Sequence, residues 1–341
     1  MKKIFLRGII VILSVLFTFS ILELGLRVVY KFRFSPRGEA LLPIATTYQL
    51  SKNKQLLYEL RPNSGARVMG IRFEINSSGF RDKKYSLRKD KKKRIIFVGD
   101  SITYGWNIEL EETYHKILER TLDLKGYDVD AMGMGIVGYN TIQEYYLIKD
   151  KALKFNPDMI ILQISPNDFE RTVSIKRYKE GKELTLVPYN DFLIPYLVGQ
   201  GAISRMLMKY SHFYKFINLK LYWLIKKRNK EFAPKEYFLL GEEASFQYLK
   251  KIKYLLDREG VQFSVVIFPF KKLEDIYPYE SLHNKIHQQL EKMHVPYFDL
   301  YSAFNENGKE DIWEDRLHPN AKGNAIAGRY FSDFVEELIK E

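Results

Sequence analysis

The sequence predicts an α/β fold in which a parallel, doubly wound sheet lies between two layers of helices. Short apolar runs with β-branched residues are typical of strands that are buried on both faces. Three such runs stand out, at Arg94–Val98, Met159–Ile164 and Phe263–Phe268. Stretches with helical spacing of apolar residues separate them. Strands that alternate with helices in this way build a three-layer α/β/α domain.

The other elements follow the same alternation. Two more strands are predicted at Asp128–Met132 and Pro296–Leu300, which makes five. Helices are predicted near Glu111–Leu122 and Thr141–Leu153, over Glu242–Arg258, and after Pro319, where proline suits a first helical turn. Residues from Phe169 to Tyr237 break the pattern, and we predict a helical insertion at about 170–237. Its aromatic and basic side chains indicate either the core of an inserted helical hairpin, which we favour, or a lid or membrane-dipping surface.

The N-terminus contains an apolar stretch that extends from Ile4 to Leu26 and follows Lys2 and Lys3. A membrane-spanning helix needs about 20 apolar residues, whereas a cleaved signal peptide has an apolar region of about 7–15. No small-x-small cleavage site follows Leu22, so we predict an uncleaved anchor over residues 1–30. The basic residues before it favour a cytoplasmic N-terminus, although basic residues also follow it.

Between the anchor and the first central strand, residues 31–90 are predicted to form a juxtamembrane linker and a β-rich lead-in. Prolines punctuate the linker from Lys31 to Asn63, and Val68–Ile75 alternates as a strand does. The α/β domain, with its insertion, is then predicted to occupy residues 91–341.

Composition excludes several classes of site. The chain has 341 residues, a formal net charge of +12 and no cysteine. Disulfides, thiolate zinc sites and cysteine nucleophiles are therefore excluded. The positive charge indicates an anionic neighbour such as membrane lipid, acidic glycan or nucleic acid.

A serine and a histidine carry the strongest chemical signal. Ser101 follows Gly99-Asp100 at the end of a predicted strand, and Asp315 precedes His318 by three residues near the C-terminus. Serine is a poor nucleophile unless a base removes its proton, and histidine is a poor base unless a partner fixes its tautomer. Ser101, His318 and Asp315 supply the nucleophile, the base and the partner that fixes its tautomer. Asp100 and Ser101 could also simply cap a helix.

Four sequence blocks in order resemble the SGNH/GDSL hydrolase superfamily. They are Gly99-Asp100-Ser101, Met132–Thr141, Ser165-Pro166-Asn167-Asp168 and Asp315–Pro319. The resemblance extends from about Ile71 to Ala327 and implies a five-stranded sheet in flavodoxin-like order. It also implies Ser101 as nucleophile, His318 as base and Asp315 as its partner. The N–H groups of Ser101 and Gly138 and the side chain of Asn167 would form the oxyanion hole, with Gly135 competing for the place of Gly138. Ser165 stands where the family has glycine, and Gly133 where it commonly has asparagine.

This resemblance predicts a serine-dependent ester hydrolase that forms an acyl-serine intermediate. The resemblance also implies that the anchored domain is extracytoplasmic. The expected substrates are therefore O-acyl, chiefly acetyl, esters of envelope glycans or lipids. An O-acetyltransferase that passes the acyl group to a glycan and a non-catalytic glycan-binding envelope protein are the alternatives. We expect no cofactor, no metal and no nucleic-acid partner, and the sequence does not indicate an oligomeric state.

Two further patterns have plainer interpretations. His283 and His287 are four apart on a predicted helix, a spacing that can bind metal, but the glutamate of a zinc-protease helix is missing. We interpret both as polar surface histidines. Gly133, Gly135 and Gly138 have the spacing of a dinucleotide fingerprint, yet no acidic residue follows a clear strand about 20 positions on.

Overall fold

A computed structural model describes most of the chain. The described residues are 2–33, 47–53, 55–56, 58–68, 70–89, 91–169, 173–177, 184–188, 203, 206–207, 210–214, 216–217, 241–272, 277–306 and 311–340. Residues 34–46 of the predicted linker and most of the predicted insertion lie outside them.

The N-terminal helix α1 (Lys2–Arg33) contains the predicted anchor. Its segment Leu6–Val28 has 23 residues and a mean hydropathy of 2.5, and most of its described apolar side chains are exposed. At about 1.5 Å per residue this segment is longer than the roughly 30 Å hydrocarbon core of a bilayer. Within the described part of the chain it is the one helix long and apolar enough to cross a membrane. A signal sequence meets the same criterion of length and composition.

Two small antiparallel ladders precede the central sheet. Strands β1 (Tyr48–Leu50) and β2 (Tyr58–Leu60) pair with each other, as do β3 (Ser64–Val68) and β4 (Ile71–Ile75). The predicted single strand Val68–Ile75 is therefore wrong in its first residues, because Gly70 turns the chain there with a φ of +88°.

The interpretation of Lys31–Asn63 as a linker is also wrong from Tyr48 onward. Tyr48 and Tyr58 are each only 1% exposed, and their rings meet edge to face at 5.8 Å. Leu60 is fully buried in the same cluster, which also contains residues of the central sheet. The two prolines at 36 and 43, which helped to predict a linker, lie outside the described residues.

The central sheet has the predicted five parallel strands. They are β5 (Lys93–Gly99), β6 (Val129–Gly135), β7 (Met159–Ile164), β10 (Gln262–Ile267) and β11 (Tyr297–Asp299). Their spatial order is β11-β10-β7-β5-β6, and every neighbouring pair is parallel. This is the flavodoxin-like order, so the predicted fold class is confirmed. Between them in sequence, β8 (Val173–Arg177) and β9 (Leu184–Pro188) form a separate antiparallel pair.

The helices cover both faces of this sheet. They are α2 (Ser101–Tyr104), α3 (Tyr114–Leu124), α4 (Thr141–Asp150), α5 (Glu242–Glu259), α6 (Glu280–Lys292), α7 (Tyr301–Glu306) and α8 (Ala321–Lys340). Ile95 and Phe97 pack in one core with α3 and α8, whereas Ile96 and Val98 pack in the other with α4 and α5. Alternate residues of one strand point to opposite faces, so β5 separates the two cores.

Two predicted elements differ from the structure. The insertion is not purely helical, because β8 and β9 lie at its start. Pro319 is not in the first turn of the last helix: α8 begins at Ala321, and the Asn320 side chain accepts the N–H of Gly323 at 3.1 Å as a cap does. The boundaries of the predicted domains remain predictions.

Candidate active site

The turn that carries Ser101 joins the central strand β5 to helix α2. Asp100 caps this helix, because its Oδ1 accepts the N–H of Ile102 at 2.9 Å. A Cβ at Gly99 would lie 2.4 Å from Oε1 of Gln163, so only glycine fits the bend. The cap interpretation and the nucleophile interpretation are therefore compatible. The hydroxyl of Ser101 lies at the carboxyl end of a parallel strand, where open α/β sheets bind ligands.

The structure brings Ser101, His318 and Asp315 together. The Oγ atom of Ser101 lies 2.8 Å from Nε2 of His318, although 217 positions separate the two residues. On the other side of the ring, Nδ1 of His318 lies 2.9 Å and 3.0 Å from the two carboxylate oxygens of Asp315. A carboxylate only accepts, so Nδ1 carries the proton and Nε2 is free to accept the serine proton.

The backbone holds Asp315 in place for this contact. Its Oδ1 accepts the N–H groups of Leu317 and His318 at 2.8 Å and 2.9 Å. Burial opposes the charged carboxylate, but the hydrogen bonds and charge of His318 and these backbone bonds outweigh it and lower the pKa of Asp315 to about 2. Asp315 is therefore an anion at neutral pH and can stabilise an imidazolium at His318.

Asn167 lies beside the same turn, on the short 3-10 helix Pro166–Asp168 that follows β7. Its Nδ2 donates to Oδ2 of Asp100 at 2.7 Å, and its Oδ1 accepts the hydroxyl of Ser165 at 2.5 Å. These two bonds fix the orientation of the amide and leave one N–H of Nδ2 for a ligand. Ser165, which departs from the family pattern, thus orients the side chain of Asn167.

The three glycines of the second block have different surroundings. Gly135 is the last residue of β6, and a Cβ there would be 2.1 Å from the backbone nitrogen of Tyr104 in α2. A Cβ at Gly133 would be 2.5 Å from Nε2 of His115, so this position has no room for the asparagine common in the family. Gly138 instead lies in the loop after β6, half-buried, with a φ of +77°. Close packing explains Gly135, and the loop position favours Gly138 as the oxyanion donor.

The N-terminal ladders support this glycine loop, a role that the sequence did not reveal. The hydroxyl of Tyr58 in β2 donates to the carbonyl of Val137 at 2.8 Å. In the reverse direction, the hydroxyl of Tyr139 donates to the carbonyl of Tyr58. Both tyrosines are buried, so these bonds are shielded from water and fix the chain on either side of Gly138.

Arg81 is a second residue that sequence reasoning missed. Its guanidinium donates to the carbonyl groups of Tyr104, Gly105 and Ile108 at 2.9 Å, 2.6 Å and 2.7 Å. Arg81 therefore supplies hydrogen-bond donors to the carbonyl groups at the C-terminal end of α2, the helix that begins at Ser101. Arg81 is 3% exposed and burial lowers its pKa. No sequence pattern distinguishes it from the other arginines.

Two buried carboxyl groups lie behind the site. Burial, and then the charges of neighbouring aspartates, raise the pKa of Glu144 and of Asp168 well above their ordinary values. Oδ2 of Asp168 accepts the N–H of Ser165 at 2.7 Å, which anchors the turn that precedes Asn167. Neither carboxyl oxygen of Glu144 has a hydrogen-bond partner within the described residues.

The interpretation of His283 and His287 as polar surface residues is wrong. His283 is 4% exposed, and both rings bond to Asp299 at 2.7 Å. Among the described residues, these three form the one cluster of metal-ligand side chains. The glycines of the second block do not form a dinucleotide site, since Gly133 and Gly135 lie within β6 rather than in a turn after it.

Comparison with known proteins defines the class of this fold and site. Residues 97–326, more than half of the chain, match the model of the GDSL-like lipase/acylhydrolase family. The matched region includes Ser101, Gly138, Asn167, Asp315 and His318. The protein is thus an ester-hydrolysing enzyme of the α/β type. More particularly, it belongs to the GDSL-like lipase/acylhydrolase family, and the predicted resemblance is confirmed.

Solved structures give low-identity matches. The psychrotrophic esterase EstA from Pseudoalteromonas sp. is 12% identical, with 73% of this chain and 100% of that chain covered and a TM-score of 0.44. An acetyl xylan esterase, AlAXEase, is 16% identical over 72% and 99%, with a TM-score of 0.44. A GDSL-like lipase from Bacteroides thetaiotaomicron VPI-5482 is 15% identical over 74% and 93%, with a TM-score of 0.43. A search of curated protein sequences found no match.

Proposed function

We propose that the protein is a serine esterase that removes short O-acyl groups, chiefly acetyl, from glycans or lipids of the cell envelope. The observation that carries this proposal is the 2.8 Å contact between Oγ of Ser101 and Nε2 of His318, with Asp315 bonded to the opposite ring nitrogen. A serine, a base and an orienting carboxylate within hydrogen-bond reach are the parts needed for acyl transfer to serine.

In the first half-reaction, His318 takes the proton of Ser101 while Oγ attacks the ester carbonyl carbon. The carbonyl oxygen becomes an oxyanion, which accepts hydrogen bonds from the N–H groups of Ser101 and Gly138 and from the remaining N–H of Asn167. Asp315 stabilises the imidazolium of His318. The proton then passes from Nε2 to the departing alcohol oxygen, the carbon–oxygen bond of the ester breaks, and an acyl-Ser101 ester remains.

In the second half-reaction, His318 takes a proton from water, whose oxygen attacks the acyl carbonyl. The same donors hold the second oxyanion, and the proton returns to Oγ of Ser101 as the carboxylic acid leaves. A sugar hydroxyl in the place of water would give an O-acetyltransferase by the same steps. The two activities therefore differ in the acceptor and share the triad.

The surroundings of Ser101 support a short acyl group. Ser101 is only 8% exposed, so the residues around it limit the room for an acyl group. Trp106 lies beside it, with its ring centroid 5.9 Å from that of His318, and Leu317 is 37% exposed on the same loop as His318. An apolar rim of this kind can contact the flat faces of a sugar ring or the chain of a lipid.

Contacts of Phe19 and Glu23, in the second half of α1, support a retained membrane anchor. The carboxylate of Glu23 accepts the hydroxyl of Ser211 and the N–H of Phe213, each at 2.9 Å. The rings of Phe19 and Phe213 also meet edge to face at 5.2 Å. Removal of α1 as a signal peptide would break these contacts. We propose that α1 stays as a single membrane anchor and that the catalytic domain is extracytoplasmic.

The fate of the acyl group tests this function. The full chain, purified in detergent, is incubated with an acetyl ester and with candidate envelope glycans, beside the Ser101→Ala variant. An esterase releases free acetate that depends on Ser101. Acetate attached to the added glycan would assign the transferase instead. If neither product exceeds that of Ser101→Ala with any acetyl ester, the proposed acyl chemistry is wrong.

A further inference from the structure

A second cluster of reactive side chains lies at the other edge of the sheet, on helix α6 and strand β11. His283 and His287 are four residues apart on α6, so both rings point from the same face of the helix. Asp299 ends the edge strand β11. Its Oδ2 lies 2.7 Å from Nδ1 of His283 and 2.7 Å from Nε2 of His287.

We propose that His283, His287 and Asp299 bind a divalent transition-metal ion of the Zn²⁺ class. Two imidazole nitrogens and a carboxylate oxygen are donors that zinc accepts, and they leave a fourth position for water. The three ligand atoms all lie within 4.8 Å of one another. The ligand set comes from two elements that meet only in the folded chain.

The distances require a small expansion on binding. With zinc–ligand bonds of about 2.0–2.1 Å, the ligand atoms of a tetrahedral site are about 3.3 Å apart. Each histidine nitrogen must therefore move away from Oδ2 of Asp299 by about 0.6 Å, starting from 2.7 Å. The side chain of His287 is 29% exposed and can rotate by this amount, and its exposed side leaves a path for the ion.

Neighbouring groups already orient these ligands. The hydroxyl of Tyr277 lies 2.8 Å from Nε2 of His283, the ring nitrogen that faces away from Asp299. Oδ1 of Asp299 accepts the N–H of Tyr301 at 2.9 Å, which leaves Oδ2 for the ion. On metal binding, His283 changes tautomer, so that its proton is on Nε2 and no longer on Nδ1. The Nε2–H group then donates a hydrogen bond to the hydroxyl oxygen of Tyr277. A metal-binding histidine usually donates its other N–H to such a partner.

The cluster lies at the edge of the sheet, where an ion would link two elements of the fold. Strand β11 has only three residues and lies at the edge of the sheet, where it pairs with β10 alone. The hydroxyl of Tyr277 also accepts the N–H of Phe270 at 3.3 Å, and the next residue, Lys271, donates to the carbonyl of Arg316 at 2.9 Å. The ion would therefore join α6 to β11 and support the loop that carries Asp315 and His318.

Metal titration of the full chain in detergent tests this proposal, after a chelator has removed bound ions. The probes are Co²⁺, whose visible absorption reports four-coordinate binding, and Zn²⁺ in competition with it. We expect one ion per chain. His287→Gln and Asp299→Asn should each weaken binding by more than about 100-fold, because each removes a ligand, and Tyr277→Phe should weaken it by about tenfold.

His294→Asn is the matched control. His294 lies just beyond α6, is exposed and has a φ of 51°, which asparagine tolerates. His294→Asn should bind the metal ion as tightly as the unaltered chain does. Zn²⁺ should raise the Tm of these two proteins but not that of His287→Gln. Circular dichroism identifies any variant that fails to fold. The proposal is overturned if the unaltered chain shows no saturable binding, or if folded His287→Gln binds equally well. Ester hydrolysis enters none of these measurements, so either result leaves the proposed function intact.

Discussion

Replacement of Asn167 by alanine separates oxyanion stabilisation from substrate binding. The Asn167 amide already donates one N–H to Asp100, so a single N–H remains for the oxyanion. Loss of one such donor typically lowers kcat by about 10²–10³, or about 2.7–4 kcal/mol of transition-state stabilisation. We therefore expect kcat of Asn167→Ala to fall by this factor. KM should change little, because the donor acts chiefly on charge that develops in the transition state.

Two further variants sharpen this test. Asn167→Asp keeps the shape of the side chain but places a second carboxylate where Nδ2 lies 2.7 Å from Oδ2 of Asp100. Its activity should be lower still, because it replaces a donor with a repelling acceptor. Asn107→Gly is the control: Asn107 has a φ of 58°, which glycine adopts readily, and it contacts Glu314 rather than the triad.

Initial rates with p-nitrophenyl acetate give kcat and KM for each protein, and circular dichroism confirms that it is folded. Asn107→Gly should retain kcat within about threefold, a change too small to report a lost oxyanion donor. If folded Asn167→Ala also stays within that range, Asn167 does not stabilise the oxyanion and its assignment is refuted.

Three other variants test Asp315 and two groups behind the site, Ser165 and Glu144. Ser165→Ala removes the hydroxyl that orients Asn167. Its kcat should fall by about 2–10-fold, as for the loss of one ordinary hydrogen bond. An unchanged kcat would show that the amide of Asn167 needs no such support. The pKa of Asp315 is lowered from 3.8 to about 2, so the stability that it contributes is present above pH 3.8 and lost as the pH falls towards 2. The Tm of Asp315→Asn should accordingly change less over this window than that of the unaltered chain, and parallel curves would contradict the assigned shift. Burial raises the pKa of Glu144 above its ordinary value of 4.5. Above pH 4.5 this residue therefore ionises in the unfolded chain while it stays protonated in the folded one. The free energy of unfolding then falls by up to about 1.4 kcal/mol per pH unit. Glu144→Gln should therefore gain Tm over the unaltered chain at pH 8 relative to pH 4.5, and an equal difference at both values would be inconsistent with a protonated Glu144.

The central sheet could be predicted from sequence because its strands are buried on both faces. A run such as Met159–Ile164 is apolar except for Gln163, and the structure gives the same bounds. Strands β1 and β2 have three residues each, too few to show a period of two, so the sequence predicts a linker at Tyr48 and Tyr58. Their burial depends on contacts with the loop near Val137, far along the chain.

The residues of the proposed triad could also be predicted from sequence, because Asp315 and His318 are close neighbours and Ser101 follows a strand. The groups that support them could not be predicted. Arg81 meets the end of α2 only through the tertiary fold, and no local pattern marks a buried arginine. Similarly, the spacing of His283 and His287 is visible, but Asp299 joins them only when β11 packs beside α6.

Covalent labelling of the nucleophile tests the central claim most directly. The full chain is treated with a fluorophosphonate probe, digested, and analysed by mass spectrometry beside Ser101→Ala and His318→Ala. We predict a single modified peptide that contains Ser101, no label in Ser101→Ala, and much slower labelling in His318→Ala. Absence of label from the folded, unaltered chain, or label that persists in Ser101→Ala, would contradict the account.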